Sequence, residues 1–226
     1  RGGYRWPPWT GDEDYRWKIL QEGFMAKILM NKIVWALFNF GFISLYQNLL
    51  LLLIATPSII ANLVATSCGG DGELTSSSSP LNIYDYVATF MILALVVIES
   101  IADNQQYAFQ TEKYRRRNVG EKLEGDYADG FNQAGLYSVV RKPNYAAEQA
   151  IWICFYLFSI GAVQGERFFN WSISGCILLC LLFQGSAWFT ETISLTTYPV
   201  YKEYMKTTPL FVPANPFRQS KKAKAR

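Results

Sequence analysis

The feature that most constrains this chain is a set of four long apolar blocks that carry almost no charge. The segment from Ile33 to Ala65 contains no charged residue at all. Further apolar blocks run from Tyr86 to Ile98, from Ala150 to Val163 and from Phe168 to Phe189. A helix needs about 20 mostly apolar residues to cross a bilayer, and these blocks reach that length with their flanks. The sequence therefore predicts a membrane protein rather than a soluble bundle of buried helices.

The blocks predict an all-α fold, a polytopic transmembrane bundle of about four spanning helices with additional interfacial helices. We assign residues 1–226 to a single membrane domain. It comprises a polar, amphipathic lead-in at 1–32, membrane helices at 33–66, 84–101, 146–165 and 168–189, a polar loop at 103–145 and a polar tail at 190–226. Pro57 is expected to end the first spanning helix, because proline removes a backbone donor.

The distribution of basic residues supports this count. With four spans, the lead-in, the polar loop and the tail lie on the same side of the membrane. Every Lys and Arg of the chain except Arg167 then falls on that side. This asymmetry matches the positive-inside rule, and it predicts an even number of spans.

The sequence contains no histidine, which excludes several kinds of active site. Ser-His-Asp and Cys-His nucleophiles, HExxH zinc sites and His-ligated haem all require an imidazole. The four cysteines lack CxxC spacing, so we expect no metal; they are Cys68, Cys154, Cys176 and Cys180. The net charge of +3 is too small to indicate nucleic-acid binding.

Two groups of polar residues lie at the ends of predicted membrane helices. Glu99 and Asp103 follow the second block at i, i+4 spacing, which places both on one helix face. Asn144 and Glu148 share a face one turn apart, directly before the third block. Carboxylates in such positions are candidates for function. A helix that simply becomes polar as it leaves the membrane would also explain Asp103.

Basic residues precede the second of these groups. Arg141 and Lys142 lie beside Pro143, which suits the first turn of a helix. Free backbone N–H groups at a helix start attract anions. This region is therefore either a phosphate-binding site or a basic flank that contacts lipid headgroups.

Four sequence runs resemble those of one membrane-protein family. GLYSVVRKPNYAAE resembles the signature GLWRYTRHPNYFGE, and ESIADNQQYAF resembles E-x-x-AD-x-Q-x-x-x-F. GDEDYRW resembles G-x-EDYRY, and YPVYKEYMKTTPLFVP resembles P-x-Y-x-EY-x-x-x-T-x-x-F-x-P. The family is that of the DUF1295 proteins, which are similar to the steroid 5-alpha-reductase C-terminal domain. The four runs occur in family order across nearly the whole chain.

The resemblance implies a multi-helix membrane protein with an NADPH site that opens to the cytosol. It also implies an oxidoreductase acting on CH-CH groups, which reduces a double bond conjugated to a carbonyl in a steroid or other lipid. Glu148 and Tyr204 would be catalytic. The residues implied in cofactor binding are Glu99, Asp103, Arg141, Lys142, Asn144 and Tyr145. The family's usual location is the endoplasmic reticulum, and the mitochondrial inner membrane is the alternative.

The sequence departs from the family pattern at three positions. Lys142 stands where the motif has His, Ala147 where it has Gly, and Gln110 where a basic residue is expected. The family also has helices before the EDYRY segment, close to which this sequence begins. These departures favour a second hypothesis, a catalytically inactive accessory subunit of a larger membrane complex.

A third hypothesis is a methyltransferase of the isoprenylcysteine or phospholipid type, whose membrane enzymes share an RHPxY-like run. The expected partners under these hypotheses are membrane lipids, a lipid or steroid substrate, or the other subunits of a complex. We expect no nucleic-acid partner.

Overall fold

The structure, a computed structural model, describes residues 31–67, 81–163, 165 and 168–213. All regular secondary structure in these ranges is helical, which confirms the predicted all-α class. The helices are α1 (Lys32–Phe38), a π-helix (Asn39–Tyr46), α2 (Gln47–Ser67), α3 (Ile83–Asn118), α4 (Asp126–Asp129), a 3₁₀-helix (Gly135–Ser138), α5 (Pro143–Ala162), α6 (Ile173–Thr197) and α7 (Tyr201–Thr207). The chain divides into two compact units, Arg1–Leu52 and Leu53–Arg226.

The first unit carries a row of aromatic rings on one face of its helical segment. Trp35, Phe38, Phe42 and Tyr46 stack in succession, with ring centroids 5.6, 5.3 and 5.4 Å apart. Spacings of three and four residues keep side chains on the same side of a helix. The stacked rings thus link α1 to the π-helix.

Three helical stretches of the described residues are long and apolar enough to cross a membrane. They are Lys32–Val64, Ile83–Asn118 and Ile173–Thr197. Their large apolar side chains are often exposed, as for Phe90 at 71%, and in a bilayer such side chains contact lipid. The fourth predicted span, 146–165, falls mostly within α5, whose first turns are polar. The predicted count of about four is therefore approximate.

Helix α2 passes through Pro57 and continues to Ser67, so the prediction that Pro57 ends the helix is wrong. Proline lacks the N–H that would bond to the carbonyl of Leu53. The Thr56 hydroxyl donates to that carbonyl instead, at 2.6 Å. This replacement donor, together with burial of Thr56, allows the helix to continue.

Helix α3 is longer than the predicted helix at 84–101, because it extends to Asn118. The predicted polar loop at 103–145 is therefore corrected for residues 103–118, which are helical. Glu112 forms an i, i+4 ion pair with Arg116 in this extension. The last turn is basic, which suits the negative end of the helix dipole.

Helices α3 and α5 pack along each other in opposite directions. At one end, Asn82 forms a capping box with Asp85 at the start of α3. The Asn82 side chain also donates to the Gly161 carbonyl at the end of α5, at 2.6 Å. This arrangement places the later part of α3 beside the start of α5.

Candidate functional site

Four polar side chains meet where α3 passes the start of α5, and we call them the α3–α5 polar cluster: Glu99, Asp103, Asn144 and Glu148. Asn144 Nδ2 donates a hydrogen bond to Asp103 Oδ1 at 3.2 Å. The carboxyl groups of Glu99 and Glu148 lie close enough to interact electrostatically. The structure therefore brings together both polar pairs that were identified from spacing alone.

Small residues allow the two helices to approach closely at this point. Ala102 is fully buried and Ala147 is 3% exposed. Each lies next to a member of the cluster in sequence. The i, i+4 spacing on both helices then places Glu99 and Asp103 of α3 next to Glu148 and Asn144 of α5.

The Glu148 carboxylate has a further partner one turn along α5. The indole Nε1 of Trp152 donates to Glu148 Oε1 at 2.8 Å. Two neighbouring carboxylates repel each other, and a proton on either group relieves that repulsion. Trp152 thus fixes the orientation of one member of the Glu99–Glu148 pair.

Tyr137, in the 3₁₀-helix, lies near Asp103 of the cluster, and the sequence reasoning did not single it out. It is 6% exposed. Burial and the nearby charge of Asp103 raise the pKa of its phenol to about 12. The signal in the sequence was its place in the GLYSVV run, where the resembled motif has another large aromatic residue.

Arg141, predicted to bind cofactor, is engaged by the protein itself. Its guanidinium pairs with Glu191, with Nε 2.6 Å from Oε1, and both side chains are 9% exposed. Its Nη1 donates to the backbone carbonyls of Met205, at 3.0 Å, and Thr208. A direct role in cofactor binding stays a prediction, while the contacts show that Arg141 joins three segments of the second unit.

Glu191 is a further residue that the sequence reasoning missed. It is the one acidic residue of α6 and it lies well inside that apolar helix. Tyr201 donates a hydrogen bond to its Oε1 at 3.2 Å. Such an intramembrane carboxylate is itself a signal that a partner exists elsewhere in the chain.

Tyr204, predicted to be catalytic, is buried and donates a hydrogen bond to the backbone carbonyl of Tyr137. The ring of Phe131 packs against it, with centroids 5.3 Å apart. Burial raises the pKa of the Tyr204 phenol above its ordinary value. These contacts support a positioning role for Tyr204, through Tyr137, and a direct catalytic role stays a prediction.

Lys142 and Tyr145, also predicted to bind cofactor, lie against each other at the start of α5. Lys142 Nζ is 5.6 Å from the Tyr145 ring centroid. The Tyr145 hydroxyl lies 3.4 Å from Ser186 Oγ, and its ring packs edge-on against Phe183. Tyr145 thus connects α5 to α6 beside the cluster.

Fold and site together define a class of protein: a multi-helix integral membrane protein with a polar cluster between two packed helices. The sequence matches the family DUF1295, described as a protein of unknown function, over residues 3–208. The chain belongs to this family.

One curated relative is an uncharacterized protein of Schizosaccharomyces pombe, C594.04c. It is 33% identical over 223 residues, an alignment that covers 94% of this chain and 57% of the relative. The chain therefore spans little more than half the length of that protein. No solved structure matches this chain.

Proposed function

We propose that the protein is an NADPH-dependent membrane reductase that acts on a double bond conjugated to a carbonyl, in a steroid or another lipid. The observation that carries this proposal is the convergence of Glu99, Asp103, Asn144 and Glu148 in one cluster. The similarity of the motifs to the steroid 5-alpha-reductase C-terminal domain supports it.

The hydrogen-bonding groups of the cluster suit the nicotinamide end of the cofactor. A carboxamide presents one acceptor oxygen and two N–H donors. Asn144 can donate to the oxygen, and the Asp103 carboxylate can accept from the nitrogen. The 3.2 Å hydrogen bond between these two residues already holds them in register.

A phosphate contact is available farther along the same face of α3. At about 100° per residue, Arg117 lies on the face that carries Glu99 and Asp103, roughly 21 Å along the axis from Asp103. Its side chain is exposed and forms no ion pair with any residue that the structure describes. Arg115, by contrast, is paired with Glu112 and Glu121. Arg117 therefore replaces the missing basic residue at Gln110 as the candidate phosphate ligand.

The residues of the chain orient the two reactants and supply one proton to the product. NADPH, when bound, supplies a hydride to the β-carbon of the enone, and a proton completes the reduction at the α-carbon. In this proposal the proton comes from the neighbouring carboxyl groups of Glu99 and Glu148. Trp152 restrains Glu148, and Tyr204 restrains Tyr137 next to Asp103.

The test is NADPH binding by the purified protein in lipid nanodiscs, followed through the fluorescence of the cofactor. Saturable binding is expected, with a marked loss of affinity in Asn144→Ala and Glu148→Ala. Ser100→Ala is the matched control, because Ser100 is exposed and bonds only within its own helix. Absence of saturable binding by protein with native circular dichroism would refute the reductase proposal.

A second candidate function is a catalytically inactive accessory subunit of a membrane complex. The observation that favours it is the engagement of the Arg141 guanidinium with Glu191 and backbone carbonyls. Purification in mild detergent would then recover the protein in a stable larger complex. A free, monodisperse protein that binds NADPH would eliminate this candidate.

A further inference from the structure

A separate cleft of about 860 Å³ lies between the polar part of α3 and the segment that follows this helix. Residues of both walls include Phe109, Glu112, Arg116, Asp126, Tyr127 and Asn132. At about 100° per residue, the α3 side chains of this cleft lie roughly 130° around the helix from Glu99 and Asp103. The cleft is therefore distinct from the α3–α5 polar cluster, and its volume suits a small molecule.

The walls of the cleft are held in place by contacts between them. Tyr127 stacks on Phe109 with ring centroids 5.0 Å apart, and the Arg116 guanidinium lies 4.4 Å from the Tyr127 centroid. The backbone N–H of Leu136 donates to Gln105 Oε1 at 2.9 Å. The Tyr127 ring is therefore already in contact with both Phe109 and Arg116.

Asn132 presents to the cleft a side-chain donor that no described residue accepts from. The residue is only 7% exposed, and its Oδ1 accepts a hydrogen bond from the N–H of Ala134 at 3.0 Å, which fixes the amide orientation. Within the part of the chain that the structure describes, Asn132 Nδ2 donates to no protein atom. Since no buried side-chain nitrogen or oxygen of the described residues lacks a partner, solvent reaches this nitrogen from the cleft, and an acceptor group of a ligand can take the place of water there.

Charges of both signs surround this donor. Arg116 bonds to Glu112 through Nε at 2.6 Å, and its two Nη groups make no hydrogen bond to a described residue. Asp126 accepts from the N–H of Gln133 through one oxygen, which leaves its other oxygen available. Glu124, at the rim, has a side chain that is 74% exposed.

We propose that this cleft binds a small zwitterion that carries an ammonium group and a phosphate ester, of the phosphoethanolamine kind. The phosphate would accept from Asn132 Nδ2 and the Arg116 Nη groups, and the ammonium would pair with Asp126 and Glu124. A simple anion would bring no positive group to Asp126, the carboxylate of the pair that has no ion-pair partner among the described residues, whereas Glu124 already lies 3.8 Å from Lys122 Nζ. A simple cation would offer no acceptor to Asn132 Nδ2 or to the Arg116 Nη groups. The same headgroup chemistry occurs in a membrane lipid and in a soluble phosphoester.

The proposal is tested by calorimetry of the full chain in nanodiscs, with phosphoethanolamine as the probe. The nanodisc lipid is phosphatidylglycerol, which has no ammonium group. Saturable binding is expected. Ethanolamine alone and inorganic phosphate alone should each bind about tenfold more weakly or worse, because each leaves part of the site unpaired. No binding of phosphoethanolamine by folded protein would overturn the proposal.

Three variants locate the site. Asn132→Ala should weaken phosphoethanolamine binding about tenfold. Asp126→Asn should also weaken it, while the weak binding of inorganic phosphate should stay the same or become stronger, because a negative charge is removed. Asp126→Asn keeps an oxygen to accept from Gln133, so it still tests the site if Asn132→Ala does not fold. Lys206→Gln is the control, because Lys206 pairs with Glu203 at an exposed position outside the cleft. Equal affinities in Asp126→Asn and the control would overturn the assignment.

The source of the zwitterion is distinguished by changing the lipid. If a lipid headgroup occupies the cleft, nanodiscs containing phosphatidylethanolamine should compete away the soluble probe. If the natural ligand is a soluble phosphoester, the probe should bind equally in both kinds of nanodisc. Both results support the site, and they assign its ligand to different sources.

Discussion

The guanidinium of Arg141 and the carboxylate of Glu191 form a nearly buried ion pair, with Nε 2.6 Å from Oε1. The same guanidinium donates to the carbonyls of Met205 and Thr208. The backbone N–H of Arg141 also donates to the Pro209 carbonyl at 2.8 Å. One residue therefore joins the start of α5, the interior of α6 and the segment that follows α7.

Replacing Glu191 by Ala should destabilise the protein strongly. The change leaves the Arg141 charge buried without its partner, which costs about 3–5 kcal/mol. Glu203→Ala is the control, because it breaks an exposed pair with Lys206 that contributes about 0–1 kcal/mol. Chemical unfolding in detergent, followed by circular dichroism, measures both. A similar loss in the two variants would contradict the structural role of the Arg141–Glu191 pair.

The sequence predicted the apolar helices and the polar cluster because both depend on local spacing. The length of the apolar stretches identifies α2, α3 and α6 as candidate membrane helices. The i, i+4 spacing identifies the helix face that carries Glu99 and Asp103. The Arg141–Glu191 pair could not be predicted in the same way. Its members lie 50 positions apart, and only the packing of α5 against α6 shows that the Arg141 charge is paired with the Glu191 charge.

Two local errors have local physical causes. Pro57 normally ends a helix, but the Thr56 hydroxyl replaces the missing donor at the Leu53 carbonyl. The segment after Asp103 looked like a loop because it is polar. It is helical because its charged residues form ion pairs at helical spacing, as between Glu112 and Arg116, and contact the 124–135 segment.

Adding one methyl group at Gly175 should disrupt the packing of α6 on α2. A Cβ atom there would lie 2.4 Å from the Leu53 carbonyl carbon and 2.5 Å from the Ile54 nitrogen, both of them backbone atoms. Gly185, in the same helix, has open space around the corresponding position. Gly175→Ala should therefore lower the thermal unfolding temperature, and Gly185→Ala should leave it unchanged or raise it through better helix propensity. Equal effects of the two changes would mean that α6 does not approach Leu53 closely.

Alkaline pH should destabilise the protein through its buried phenols. Burial raises the pKa of Tyr204, and burial with the Glu191 charge raises that of Tyr201. Below about pH 10 these phenols are neutral in both the folded and the unfolded chain, so the free energy of unfolding has its full value. Above about pH 10 they ionise first in the unfolded chain, and each lowers the free energy of unfolding by about 1.4 kcal/mol per pH unit.

Tyr204→Phe isolates one of these contributions. The variant loses the hydrogen bond to the Tyr137 carbonyl, so its stability at pH 8 should fall by about 1 kcal/mol. Its free energy of unfolding should decline less steeply than that of the wild type between about pH 10 and 11.5. Unfolding curves recorded across this range give both values. An unchanged slope would show that Tyr204 ionises alike in the folded and unfolded states.

Arg117→Gln should weaken the binding of NADPH far more than that of NADH. Arg117 lies on the helix face of Glu99 and Asp103, far enough along α3 to contact the end of the cofactor that carries the extra 2′-phosphate. Loss of a charge-assisted hydrogen bond to that phosphate corresponds to about 10- to 100-fold in affinity, and NADH has no such group to lose. Fluorescence titration with each cofactor gives the two ratios. Arg115→Gln is the control, because the Arg115 guanidinium is already bound to Glu112 and Glu121. If Arg117→Gln weakens the binding of NADPH and of NADH equally, the 2′-phosphate does not contact Arg117, even if NADPH binding itself is confirmed.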